Sequence, residues 1–585
     1  MSKLTTLDSD SQLSAQLPVQ TLDLGHDLTQ ALQEIVRDWT RQGTLARLWA
    51  RDAQVWSGGD EANWLDWLDA VPRGRAALPA LTELGADLRR GGFTAALLIG
   101  MGGSSLGPEV LAKILGKDSG MLPLHIIDST DPAQIASCEA ALDIERTLFI
   151  VASKSGSTLE PDILLQYFLA KAKAALGPAA GRQFIAITDP GSKLEAFSRD
   201  NGFRHIVAGV PGIGGRYSVL SNFGLVPALV MGIDIECLLA SAALMVESCS
   251  AATPPAQNPS VILGAVMGAA ARAGRDKLTL LASPTLAPFG AWIEQLVAES
   301  TGKHGLGIVP VDAEPIGMPE VYGSDRLFID LRLEGDSDQA RDESIAALRT
   351  AGNPIVTISI AAREQLSQEF FHWEMATAVA GAVLGIHPFD QPDVEAAKIQ
   401  TKALMAAYER DQVLPQSPAV LVNGNLALFG SVAGNATSLE SALTGLLGQI
   451  RQGDYFALLA YMEMNDQHTA LLQAMRILVR DKFKVATCLG FGPRFLHSTG
   501  QLYKGGPNSG VFLQITCDDD MDLPVPGRGY SFDTVKAAQA LGDFHVLAER
   551  GRRALRVHVK GELEAGLSAL HRTLTAALSR AGMAL

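Results

Sequence analysis

The chain has 585 residues, 47% of them hydrophobic and 19% charged, with a formal net charge of -15. So long a chain needs more than one core, and three or four packed units are expected. The acidic balance argues against a nucleic-acid or anionic-membrane surface, so any phosphate must be held by local groups. Cys138, Cys237, Cys249, Cys488 and Cys517 lie far apart, with no CxxC pair and no metal-ligand spacing to a histidine. They read as buried thiols of a cytoplasmic protein without a metal site. The segment MSKLTTLDSDSQ lacks the apolar core of a signal peptide, and the longest apolar run, near 376–386, is too short to cross a bilayer.

In chain order, residues 1–88 read as a helical N-terminal cap, because DLTQALQEIVRDW and NWLDWLDAV space apolar residues by three and four. From 89 to 225 short apolar runs (TAALLIG, LHIID, TLFIVAS, QFIAIT, HIVAG) alternate with helix-like stretches, the pattern of a parallel sheet covered on both faces. Residues 226–415 repeat it with LTLLAS, GIVPV, RLFIDLRL and IVTISI, ending in a long helix that begins near Gln391. Residues 416–585 form a third unit with AVLVN, YFALLAYM, KVATCLGF, VFLQIT and HVLAE as its strands. The fold class is therefore α/β, with tandem doubly wound, Rossmann-like units and mainly parallel sheets.

Two strand-to-helix turns carry chemistry. In LLIGMGGSSLGPEVLAKILG a glycine-rich turn lets backbone N–H groups and the hydroxyls of Ser104 and Ser105 approach an anion at a helix's positive end. It fits neither GxGxxG nor a nucleotide P-loop, so no nucleotide cofactor is expected. In LFIVASKSGSTLEPDILLQYF, Ser153, Ser155, Ser157 and Thr158 crowd into six positions. Ser157 with Glu160 has the spacing of a capping box, an equally good reading of that serine alone. Four hydroxyls together suit a dianionic phosphate. Two such loops at strand ends of one parallel sheet share a crevice, which points to a phosphorylated small molecule.

From about residue 90 to 415 the sequence resembles the glucose-6-phosphate isomerase family, a family of the sugar isomerase fold. The likeness rests on GMGGSSLGP, SKSGSTLE, GGRYSVLSNFG, QLVAESTGK and HPFDQPDVEAAK in family order. It is strongest to the isomerase part of bifunctional transaldolase/glucose-6-phosphate isomerase proteins; no transaldolase-sized unit precedes it here, and isomerase activity alone is expected. The resemblance implies that Ser104, Ser153, Ser155, Ser157 and Thr158, with Lys154 in the same loop, hold the phosphate or sugar. It places Arg216 at the reacting carbons with Gln295 and Gln391 beside them, Glu299 as base and Lys398 near the ring oxygen. It further implies no metal and no cofactor, a sugar phosphate as the partner, and a homodimer. The family's histidine stands in an HxxxQL segment between the glutamate and lysine motifs. Here that context occurs only at His497, followed by Gln501 and Leu502 in the third unit, with His387 the alternative beside the lysine motif.

The residues read independently agree. In AWIEQLVAES, Trp292, Gln295, Leu296 and Glu299 share one helical face, so Glu299 lies on an apolar stripe in the last turn, where burial and the helix's negative end both disfavour its charge and suit it to a general base. A carboxylate so placed can move a proton between C2 and C1 of a sugar through a cis-enediol. Arg216, after two glycines, would stabilise the forming enediolate. Lys398, on one helix side with Val394 and Thr401, is expected to point inward and Lys402 to water. An isomerase of glucose 6-phosphate and fructose 6-phosphate is the leading expectation. An isomerase of mannose 6-phosphate or of a sulfonated sugar, and a non-catalytic sugar-phosphate sensor, stay open.

Overall fold

Strand β1 (Val19–Asp23) opens the computed structural model, which describes residues 16–116, 122–415, 418–431 and 436–580. This strand was expected to be helical. It pairs antiparallel with residues 355–359, Val19 opposite Ser359, and covers the edge of the second sheet. DLTQALQEIVRDW is helical as its spacing requires: in Gly25–Gln42 the buried residues are Leu28, Leu32, Val36 and Trp39. NWLDWLDAV instead forms two 3-10 turns before the helix Ala70–Arg90.

The first sheet is wholly parallel, in the order β3 (Leu124–Ile127), β2 (Ala95–Gly100), β4 (Thr147–Ala152), β5 (Phe184–Thr188), β6 (His205–Ala208). Every residue of β2, β4 and β5 is buried, because helices cover both faces. The chain winds one way from β2 to β3 and the other way from β4, so a crevice opens beyond the carboxyl ends of β2 and β4. The two glycine-serine turns leave those two ends.

The second sheet runs β1, β10 (Ile355–Ile360), β9 (Arg326–Leu333), β7 (Lys277–Ala282), β8 (Val309–Val311), parallel except for β1. The third runs β11 (Leu421–Asn423), β12 (Leu426–Phe429), β16 (Arg553–Val559), β15 (Gly510–Cys517), β13 (Tyr455–Tyr461), β14 (Ala486–Phe491), with β11 and β12 antiparallel. HVLAE is not a strand: it ends the helix Phe532–Glu549, whose Val535, Ala538, Leu541 and Val546 are buried at helical spacing. The strand is RALRVHV, which follows it. The cysteines also divide: Cys249, Cys488 and Cys517 are buried, Cys138 half-buried and Cys237 exposed. Among the described residues no helix is long and apolar enough to cross a membrane.

The helix Leu366–Leu384 runs through the centre and buries nearly its whole surface. It packs so closely on the helix Pro259–Arg272 that a Cβ at Gly268 would meet Val383 Cγ1 at 2.5 Å. Burial there pushes the Glu369 carboxyl up to about 8 and the His372 imidazole down to about 3. A carboxyl raised on folding is protonated in the native state, so its contribution is fully present below its unfolded value and is lost as pH rises toward about 8. The cost is about 1.4 kcal/mol per pH unit between the two values. Glu369→Gln should therefore gain thermal stability relative to the wild type as pH is raised from 5 to 8. A gap in melting temperature that does not change with pH would contradict this.

Candidate active site

The glutamate helix, Phe289–Thr301, ends with Glu299 9% exposed, as its apolar stripe requires. What the stripe did not reveal is the counter-charge: Arg216 Nη1 lies 3.0 Å from Glu299 Oε1. Arg216 is itself 3% exposed and held on all sides. Its Nε donates to Ser300 Oγ (2.8 Å), Nη1 to Gln391 Oε1 (3.1 Å), and Nη2 to the carbonyls of Pro388 (2.8 Å) and Asp390 (3.1 Å). A cation so fixed needs no rearrangement when charge develops beside it. Gln295 Nε2 donates to Glu299 Oε2 (3.2 Å) and to the His497 carbonyl (2.7 Å), joining the second unit's glutamate to the third unit's histidine.

His497 stands in the 3-10 turn Arg494–His497 after β14 and projects to the first unit, where its Nε2 lies 3.0 Å from Glu160 Oε1. Glu160 is one residue of the candidate site that sequence reasoning missed. Its spacing from Ser157 read as a capping box, yet the N-cap of the helix Leu159–Leu176 is Thr158, with no side-chain cap bond, and Glu160 turns inward. Gln539 Nε2 also donates to it at 2.6 Å. Burial works to raise this carboxyl, but the charge and hydrogen bond of His497, with a backbone hydrogen bond and the Lys398 charge, together hold Glu160 below its usual range. An ionised carboxylate only accepts, so Nε2 carries the proton and Nδ1 is left as the acceptor.

The glycines of the first loop serve contact between units. A Cβ at Gly102, whose φ is +55°, would sit 2.8 Å from Gln295 Nε2 and 2.9 Å from the His497 carbonyl oxygen, and one at Gly103 would collide with the Gly215 carbonyl. Three loops thus close on one another where only glycine fits. Gln501 explains the rest of the HxxxQL segment. Its Oε1 accepts from the N–H groups of Asp393 (2.9 Å) and Val394 (3.2 Å), capping the lysine helix Pro392–Asp411, while Nε2 donates to Gly302 O (2.9 Å) beyond the glutamate helix.

Other expected residues fall differently. Ser105 is fully buried behind its loop, with its Oγ 2.9 Å from Asp128 Oδ2, and Asp128 pairs with Arg494 Nη1 at 3.0 Å. It stands outside the cleft and braces the loop. Lys154 is likewise engaged, its ammonium pairing with Asp189 and donating to Pro211 O (2.8 Å). Lys398 does not point inward: its side chain is 47% exposed and its Nζ lies 2.7 Å from Glu395 Oε1, though its charge still reaches Glu160. His387, the alternative histidine, has Nε2 2.8 Å from Asp60 Oδ1 and accepts at Nδ1 from the Phe389 and Asp390 N–H groups, so neither nitrogen faces the cleft. Ser104 and Ser153 are buried, and Ser153 Oγ has no hydrogen-bond partner. Ser155 and Ser157 are exposed with their hydroxyls 2.8 Å apart. A cavity of about 310 Å³ adjoins this loop, lined by Ser153, Ser157, Thr158, Lys193 and Arg528 among others.

A second missed residue is Lys303, the last letter of QLVAESTGK. It is wholly buried, with its Nζ 2.6 Å from Asp390 Oδ1 and bonded to the His387 carbonyl, and so it clamps the loop whose carbonyls hold Arg216. Burial, and then the Arg216 charge, push Lys303 down to about 7. Sequence spacing alone gave no sign of this, because Gly302 and Lys303 read as a helix end. Among the described residues no group of histidine, cysteine and carboxylate side chains is arranged to hold a metal ion.

The family model for phosphoglucose isomerase matches residues 69–312. The chain is 32% identical over 390 residues to a glucose-6-phosphate isomerase of Rubrobacter xylanophilus, spanning 57% of this chain and 88% of that protein. It is 30% identical over 379 residues to one of Thermosynechococcus vestitus, spanning 58% and 71%. A solved hypothetical protein of Thermus thermophilus superposes with a TM-score of 0.58 at 24% identity, over 66% of this chain and all of that one, a likeness of fold.

Proposed function

The chain belongs to the glucose-6-phosphate isomerase family, and we propose that it interconverts glucose 6-phosphate and fructose 6-phosphate through a cis-enediol, with Glu299 moving the proton. The observation that carries this reading is the buried Glu299 with Arg216 Nη1 at 3.0 Å on one oxygen and Gln295 Nε2 at 3.2 Å on the other. When Glu299 takes the C2 proton it becomes neutral, and the negative charge passes to the substrate's enediolate oxygen. The Arg216 charge stays where it is. It balances the carboxylate before the transfer and the enediolate after it, so stabilisation shifts to the transition state without reorganisation. Once the remaining hydroxyl proton has passed from O2 to O1, returning the carbon-bound proton to C1 by the same carboxylate completes the isomerisation.

The hydroxyls of Ser104, Ser153, Ser155, Ser157 and Thr158 hold the phosphate at the positive end of the helix Leu159–Leu176. Ser105 and Lys154 support the loops from behind. Opening the sugar ring falls to His497, whose Nδ1 exchanges a proton with the ring oxygen while Glu160 stabilises the imidazolium, and Lys398 contributes charge at the mouth. Gln391 steadies Arg216.

The direct test is the purified chain with fructose 6-phosphate in metal-free buffer, followed for glucose 6-phosphate. Binding without turnover would replace the isomerase with a sugar-phosphate sensor. In the phosphate loop, Ser155→Ala with Thr158→Ala should raise KM roughly ten- to a hundredfold with little change in kcat, as loss of charge-assisted hydrogen bonds made equally in ground and transition states requires. A fall in kcat at unchanged KM would contradict the assignment.

A further inference from the structure

The third sheet carries a cation that no group answers. Arg556, in the middle of β16, is 6% exposed, and its Cζ lies 3.9 Å from the centre of the Phe429 ring and 5.8 Å from that of Phe544. Stacking satisfies the face of a guanidinium and leaves the N–H groups at its edge wanting acceptors. Nε has no hydrogen-bond partner, and among the described residues no carboxylate pairs with the group. The five other buried arginines are all answered: Arg216 by Glu299, Arg326 by Glu314, Arg341 by Asp330, Arg480 by Asp481, and Arg476 by the Asp312 carbonyl. Burial alone presses Arg556 down to about 10.

A cavity of about 50 Å³ adjoins the group, lined by Phe429, Thr516, Asp533, Lys536 and His558 among others. Its other basic groups are engaged. Lys536 Nζ pairs with Asp131 at 2.9 Å and with Asp519, and His558 is held between Thr516 Oγ1 and Asp518 Oδ1, both at 2.9 Å. The volume holds roughly three to five waters, or the head of one small oxyanion. The helix Phe532–Glu549 separates this cavity from the cleft: Ala537, Ala540 and Leu541 line the cavity, while Gln539 reaches Glu160.

We propose that Arg556 anchors a second site, in the C-terminal unit, for a small carboxylate or phosphate oxyanion bound by the free fork of its guanidinium. A planar fork backed by an aromatic ring is what bidentate recognition of such oxygens uses, and a buried guanidinium left without an anion destabilises the fold that holds it.

The test compares melting of the full chain in millimolar malonate or inorganic phosphate with sodium chloride of equal ionic strength, for the wild type and Arg556→Met. Any anion in the isomerase cleft contributes equally to both. The wild type should gain several degrees over chloride, and the variant should lose most of that gain. Without added oxyanion the variant should melt no lower than the wild type, since it removes an unanswered buried charge. An equal gain in both proteins, or no gain in either, would overturn the site; so would a variant that melts well below the wild type in chloride, which would make the stack on Phe429 the purpose of Arg556. Should Arg556→Met not fold, Arg556→Lys keeps charge and stem but loses the fork. It should bind malonate at least about tenfold more weakly by calorimetry, and equal affinity would again overturn the proposal.

Discussion

Glu299→Gln should leave binding of the sugar phosphate nearly intact and lower isomerisation by about three orders of magnitude, the middle of the range for loss of a positioned general base. The amide keeps the size of the carboxylate, and its oxygen can still accept from Arg216 Nη1, which lies 3.0 Å from Oε1 in the wild type, while its NH2 group replaces Oε2 and gives up the bond from Gln295 Nε2. What is lost is the basic lone pair, and with it the transfer of charge to the enediolate that Arg216 is placed to stabilise. The decisive reading is exchange of the C2 proton with solvent, followed by NMR in deuterated buffer under conditions where KM is also measured. Near wild-type exchange would remove Glu299 as the base. A large rise in KM with unchanged kcat would make it a binding residue instead.

The parts of the site that were legible in the sequence are those whose chemistry is local. Glycine-serine turns after apolar runs marked the carboxyl ends of β2 and β4, and the apolar stripe through Trp292, Gln295 and Leu296 marked Glu299 as inward-facing. The illegible parts depend on partners far along the chain. Glu160 meets His497 across 337 positions, and Ser105 lies over Asp128 and, through it, Arg494. No helical or strand period encodes such pairs. Local rules even pointed the other way, since a serine three residues before Glu160 satisfies the capping-box pattern. Lys398 was misplaced for a related reason. A one-sided helical position shows which residues share a face but not which face finds a neighbour, and here Glu395, one turn back, takes its ammonium. RALRVHV escaped notice because Arg556 and His558 break its apolar run.

His497→Ala should slow turnover of the cyclic sugar by roughly a hundredfold or more, while C2 proton exchange on an open-chain substrate stays near the wild-type rate. The two steps use different groups. In the proposed mechanism, proton transfer between carbons uses Glu299 and Arg216, which should keep their mutual geometry when the imidazole is removed, because Gln295 donates to the backbone carbonyl of residue 497 and not to its ring. In the same proposed mechanism, ring opening needs a group that both gives and takes a proton, and Nδ1 of His497 is left for that role because Glu160 binds Nε2. Glu160→Gln supplies the sharper comparison. The amide can still occupy the space between His497 and Gln539, but it brings no charge to stabilise an imidazolium. It should therefore reproduce much of the His497→Ala defect on cyclic substrate, again sparing the open-chain reaction. The double variant should be little worse than His497→Ala alone, because residues that act as a unit are not additive. If Glu160→Gln turned over cyclic substrate at the wild-type rate, Glu160 would be a packing residue. If His497→Ala did so, ring opening would belong to another group at the mouth of the cleft, with Lys398 the first to test.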